Sequence, residues 1–173
     1  MNGTRGNYRS TARRGATALL LVAALSALSE ARLNAAGRAP LAPEIQLALR
    51  RAVQKVSRPE CQLVYSDFSD SLGKTLAQNL AERGQSAAAN FRDIIFEDAG
   101  QKSLCRWGGI LAFTSPGSRT VHLCTQRFTR AALDSPSVAS ATLIHEQLHT
   151  LGLLENPPTS HEITERVLQR CMR

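Results

Sequence analysis

Three residues in the C-terminal part of the chain have types and spacing that can do chemistry: His145, Glu146 and His149, in the run His145-Glu146-Gln147-Leu148-His149. On an α-helix, four residues correspond to roughly 400° of rotation, so the two imidazoles leave one face, one turn apart. Imidazoles placed this way can share one Zn2+ at roughly 2.0–2.1 Å each. Glu146 stands about 100° around the helix and borders that face without occupying the metal. Zinc brings the pKa of water toward about 7, and a carboxylate at this position can accept the proton as the water attacks a carbonyl.

A catalytic zinc needs a third protein ligand and an open position. The run extends to Gly152 and Glu155, each three residues beyond the residue before it in the pattern. Gly152 allows a sharp turn at the helix end, which can swing Glu155 back toward the metal. Glu162, Glu165 and His161 are the alternatives, with a following helix supplying the third ligand. Each has an ordinary role open to it: Glu162 in a helix cap, Glu165 on a solvated face, His161 at an exposed helix end.

The pattern resembles the zincin metallopeptidases and, in its spacing, the metzincins, which carry a ligand at the position of Glu155. That ligand is usually His and sometimes Asp, so Glu155 departs from the pattern. No counterpart of the metzincin Met-turn exists, because the only Met after Met1 is Met172. Glu162 and Glu165 correspond to a gluzincin-like arrangement. The resemblance implies a zincin-like α+β fold: a small mixed sheet packed against the active-site helix, with a C-terminal helix following. It implies zinc-dependent hydrolysis of peptide bonds in a peptide or protein substrate, with Glu146 as general base and later proton donor. It also implies an edge strand that holds extended substrate, for which residues 109–114 are the candidate. Residues 141–171 further resemble a group of small uncharacterised exported bacterial proteins.

The elements that must position these residues follow from patterning. Ile45, Leu49, Ala52, Val53 and Val56 share a helical stripe over 44–56, stopped before Pro59. Residues 61–65 read as a strand, 72–83 as an amphipathic helix ending at Gly84, and 91–96, 109–114 and 120–124 as strands. Ser115-Pro116-Gly117-Ser118 joins the last two strands as a hairpin. The motif helix starts at Ser135 as N-cap with Pro136 in its first position, and breaks at Gly152. Thr159 and Glu162 are spaced as the capping box of a last helix that runs to about Cys171. His122, Tyr65 and Trp107 read as structural, with an oxyanion role open to Tyr65 and a place in a cleft wall to Trp107.

Residues 1–31 read as a secretory signal peptide, with Arg5, Arg9, Arg13 and Arg14 ahead of an apolar run over 16–28 and small residues at Ser29 and Ala31. Residues 32–43 read as an exposed leader and 44–173 as the domain. The chain carries +7, of which 1–31 holds four Arg and one Glu, leaving +4 (7 − 3) on the remainder. Without a basic run or aromatic interleaving, that excess does not predict a nucleic-acid partner. No stable membrane insertion is expected after cleavage, and the location expected is periplasmic or extracellular. Cys61, Cys105, Cys124 and Cys171 suit an oxidising compartment, with pairing Cys105–Cys124 and Cys61–Cys171 favoured among three connectivities. The rival reading is a non-enzymatic exported binding or inhibitory module that keeps a structural zinc.

Overall fold

The computed structural model describes residues 41–106 and 108–173. The expected signal peptide, most of the expected leader and Trp107 lie outside the described residues.

The first helix, α1 (Pro43–Val56), buries Ile45, Ala48, Ala52 and Val56 on one stripe, as the sequence spacing predicts. The next stretch corrects the expected strand. Residues 61–65 belong to two short helical turns, α2 (Pro59–Gln62) and α3 (Val64–Asp67). Pro59 stands at the start of α2, where its lost N–H costs no helical bond. Cys61, Val64 and Tyr65 are buried, a helical i, i+3, i+4 pattern, whereas Leu63, which a strand would place beside Cys61 and Tyr65, is 49% exposed.

Helix α4 (Leu76–Glu82) begins later than expected. Asp70 Oδ1 accepts the backbone N–H groups of Leu72 and Lys74, and this side-chain turn holds 70–74 out of the helix. Thr75 and Gln78 then form a reciprocal capping box. The predicted strand at 91–96 is also corrected. Ser86 caps α5 (Ala87–Arg92), and only at Ile95 does β1 (Ile95–Asp98) start.

A 3-10 turn (Ser103–Arg106) leads to β2 (Ala112–Phe113), shorter than the expected 109–114, and then to β3 (Thr120–Leu123). The sheet order is β1-β3-β2, with β1 parallel and β2 antiparallel to β3. The β2–β3 connection turns at Pro116-Gly117, where Gly117 has φ +78 and Ser118 N–H donates to Ser115 O at 2.9 Å. Pro followed by a positive-φ Gly suits a type II turn.

Helix α6 (Thr125–Asp134), which the patterning did not single out, buries Phe128 and Ala132. Helix α7 (Pro136–Thr150) follows at once. Ser135 occupies its N-cap position, but its side chain makes no capping bond; its N–H closes α6 on Ala131 O. α7 is buried nearly all round, packing against α1, α6, β2 and the last helix, α8 (Ser160–Cys171). A helix covered on so many sides runs through the core rather than along it.

Two disulfides are formed, Cys61–Cys171 and Cys105–Cys124, the favoured pairing. The first ties α2 to the end of α8. Asp67 reinforces that edge by accepting two bonds from the Arg170 guanidinium and one from Arg166. The architecture is mixed α+β with a small mixed sheet, and among the described residues no helix is long and apolar enough to cross a membrane.

Candidate metal centre

α7 carries His145 and His149 on one face, and Gln147 fixes how that face is turned. The Gln147 side chain points into the core, where its Oε1 accepts from Tyr65 Oη at 2.7 Å and its Nε2 donates to Ala87 O and Asn90 Oδ1. A buried amide with these bonds resists rotation of the helix about its axis, since turning would leave them unmade. Tyr65 is therefore a core anchor, and burial raises its phenol above the ordinary value.

The helix ends in a Schellman motif. Gly152 N–H donates to His149 O at 2.9 Å and Leu153 N–H to Leu148 O at 3.2 Å. Gly152 has φ +108, and a Cβ there would meet Asp70 Cβ at 3.3 Å. Leu153 is fully buried beside the equally buried Leu148, which plugs the chain into the core just before Glu155. Asn79 clamps the corner from outside, donating to Leu151 O and Asp70 Oδ2, both at 2.9 Å.

The chain so turned brings Glu155 back over the helix. His145 Nε2 and His149 Nε2 lie 3.0 Å apart, and Glu155 Oε1 is 3.1 Å from each. Tetrahedral ligands at about 2.05 Å from one ion would stand about 3.3 Å apart, close to this triangle. The other imidazole nitrogens are engaged. His149 Nδ1 lies 2.8 Å from Leu153 O, and His145 Nδ1 lies 2.9 Å from Thr164 Oγ1. A carbonyl only accepts, so His149 Nδ1 carries the proton and its Nε2 presents a lone pair to the triangle. Lone pairs and a carboxylate oxygen converging on one point are what a cation requires.

Electrostatics agree. Burial, and then the neighbouring His149, hold His145 down at about 4. Burial acts to raise Glu155, but the adjoining His145 and His149 imidazoles and Ser160 outweigh it and hold the carboxyl below its ordinary value. Burial, and then the Glu155 charge, push Glu146 up to about 8. Among the described residues Glu146 Oε2, which is buried, has no hydrogen-bond partner, a polar atom left for a group from outside.

His145, Glu146, His149 and Glu155 share a cleft of about 340 Å³ with Ile110, Ala112, Phe113 and Ser160. The histidine side chains are 6% and 7% exposed and Glu155 is 42% exposed, so the triangle is walled by protein behind and open in front. β2, one of the sheet's two edge strands, lines it.

Among the described residues only His145, His149 and Glu155 form a group able to hold a metal. The alternatives lie elsewhere. Glu162 caps α8 through Thr159, and His161 pairs with Glu165 at 3.5 Å on the exposed side of that helix. His122 sits on β3 with Lys102 Nζ at 3.0 Å and Glu97 at 3.8 Å; burial, then Lys102, lower its pKa against the pull of Glu97. The motif reading did not single out Gln147, Thr164 or Ser160, whose roles arise from contacts made only on folding. Compared with protein-family models, curated proteins and solved structures, the chain matches none.

Proposed function

We propose that this chain is an exported zinc-dependent peptidase of zincin-like design. The observation that carries the reading is the joint arrangement of three ligand atoms 3.0–3.1 Å apart and the partnerless Glu146 carboxylate oxygen in one open cleft. A structural zinc is closed by four protein ligands; here three groups converge and the fourth side faces the cleft.

His145, His149 and Glu155 hold the ion. Bound there, Zn2+ supplies Lewis acidity, polarising a carbonyl and acidifying water. Glu146 takes a proton from the attacking water at Oε2. As the C–N bond breaks, Glu146 returns that proton to the departing amine, so the carboxylate is regenerated. Leu153 O keeps His149 in the tautomer that presents the Nε2 lone pair to the cleft, and Thr164 orients the His145 ring so that its Nε2 points there as well. The outer edge of β2 offers main-chain groups for an extended peptide, and Ile110, Ala112 and Phe113 supply apolar walls. The two disulfides are compatible with export, which the basic and apolar order of residues 1–31 would direct.

Metal content after dialysis and Zn2+ loading, together with cleavage of an unfolded protein, tests the reading. Wild type should hold one zinc, and His149→Ala and Glu155→Ala should lose it. Glu146→Gln should keep the zinc and lose cleavage. Stoichiometric zinc in His149→Ala rejects the site, and undiminished cleavage by Glu146→Gln rejects the mechanism.

A further inference from the structure

We infer that Ser160 and Thr164 are a pair of positioning residues through which α8 orients two of the three metal ligands, Ser160 acting on Glu155 and Thr164 on His145. The inference rests on the reading of His145, His149 and Glu155 as a metal centre. α8 provides no ligand; it provides the hydroxyls behind the ligands.

The two residues are four apart on α8 and so project from one face, one turn from each other. That face is toward α7 and the loop carrying Glu155. Thr164 Oγ1 lies 2.9 Å from His145 Nδ1, and Ser160 lines the cleft beside Glu155, where its hydroxyl acts to hold that carboxyl low. The two hydroxyls act in opposite senses. With the Nε2 lone pair given to the metal, Nδ1 carries the proton and the Thr164 oxygen accepts from it. Ser160 must donate, because an ionised carboxylate only accepts. One helix face thus orients an imidazole ring and a carboxylate.

An orienting group must itself be held, and α8 is held at both ends. Its first turn, where Ser160 stands, is set by the capping box in which Glu162 Oε2 accepts from Thr159 N–H at 2.7 Å and Thr159 Oγ1 accepts from Glu162 N–H at 3.3 Å. Its middle is seated by Ile163 and Val167, both fully buried. Its last turn is fixed by Cys61–Cys171 and by the Asp67 bonds to Arg170. His149 needs no such help, since Leu153 O on its own C-terminal turn orients it.

The test measures Zn2+ affinity of the full chain by competition with a chromogenic chelator, and records the Co2+-loaded visible spectrum. Thr164→Val keeps shape and loses the acceptor, and Ser160→Ala loses the donor at an exposed position where folding is not at stake. Each should weaken Zn2+ binding by about tenfold to a hundredfold and shift the Co2+ bands. Thr164→Ser, which keeps the hydroxyl, should bind as wild type does. Unchanged affinity in both Thr164→Val and Ser160→Ala overturns the inference, as does an equal loss in Thr164→Ser. A wild type that binds no zinc removes the metal centre itself and the inference with it. Thermal unfolding of the metal-free variants separates a lost fold from a misplaced ligand.

Discussion

Gly117 N–H donates to the carbonyl oxygen of His149 at 2.8 Å, so the turn of the β2–β3 hairpin is docked on the last turn of α7. The same carbonyl accepts Gly152 N–H at 2.9 Å. One oxygen therefore joins the edge strand, the end of α7 and the loop that delivers Glu155.

These two glycines should respond differently to alanine. At Gly117, φ is +78 and a Cβ meets nothing within 4 Å, so Gly117→Ala meets only backbone strain, about 1 kcal/mol. At Gly152, a φ of +108 combines with Asp70 Cβ at 3.3 Å. Gly152→Ala should cost more, about 2 kcal/mol or above, and should also weaken Zn2+ binding because the chain leading to Glu155 shifts. Denaturant unfolding of the metal-free variants and chelator competition measure the two effects separately.

The reach of residue 155 should matter as much as its charge. Glu155 Oε1 stands 3.1 Å from both Nε2 atoms, and Glu155→Asp withdraws the carboxylate by one methylene. Zn2+ affinity should fall at least as far as for loss of an outer hydroxyl, by about a hundredfold. Glu155→Gln keeps the reach and loses the charge, and should also bind less tightly. Equilibrium dialysis against Zn2+ compares the three proteins.

The metal-free protein should show a pH signature. In the folded state Glu146 titrates at about 8 against an ordinary 4.5, and His145 at about 4 against 6.5. A carboxyl with a raised pKa keeps its proton when folded where the unfolded chain has lost it. Its contribution is complete below 4.5 and is lost as pH rises through about 8. His145 acts the opposite way, adding stability from about 4 to 6.5 and none further above. Between 6.5 and 8 Glu146 acts alone of the two, so metal-free wild type should lose stability across that window. Glu146→Gln should flatten the slope, read from urea midpoints across pH.

The disulfides should differ in weight. Cys61–Cys171 closes a separation of 110 residues and Cys105–Cys124 one of 19. Loop-closure entropy gives roughly 4–5 kcal/mol for the first and about 3 kcal/mol for the second. Replacing Cys61 and Cys171 by Ser should lower the unfolding midpoint more than replacing Cys105 and Cys124, and it alone should weaken Zn2+ binding, since it frees the end of α8.

What could be read from the chain alone was local. His145 and His149 lie one helical turn apart, and Gly152 ends the helix, so their relation to Glu155 depends on a few consecutive residues. The Thr159–Glu162 cap is equally local. Residues 61–65 misled because short apolar runs fit either period, and only the exposure of Leu63 against the burial of Val64 decides for helix. Gln147 looks like an interchangeable position in the motif, yet its amide reaches Tyr65, Ala87 and Asn90. Those partners are distant in sequence, so nothing in the motif announces them. Thr164 and Ser160 were hidden for the same reason.

Every proposed ligand, and every group that would orient one, falls in the single stretch from His145 to Thr164. The centre is thus a cassette measured out along the chain, with its spacing kept by the turn at Gly152 and the start of α8. Changes of side chain elsewhere reach it only by loosening its supports. One residue inserted or deleted between Gly152 and Ser160 would instead shift the phase of Glu155 against both helices. In homologous chains this connection should therefore keep its length, while surface loops that do not touch the Gly152 corner vary in theirs.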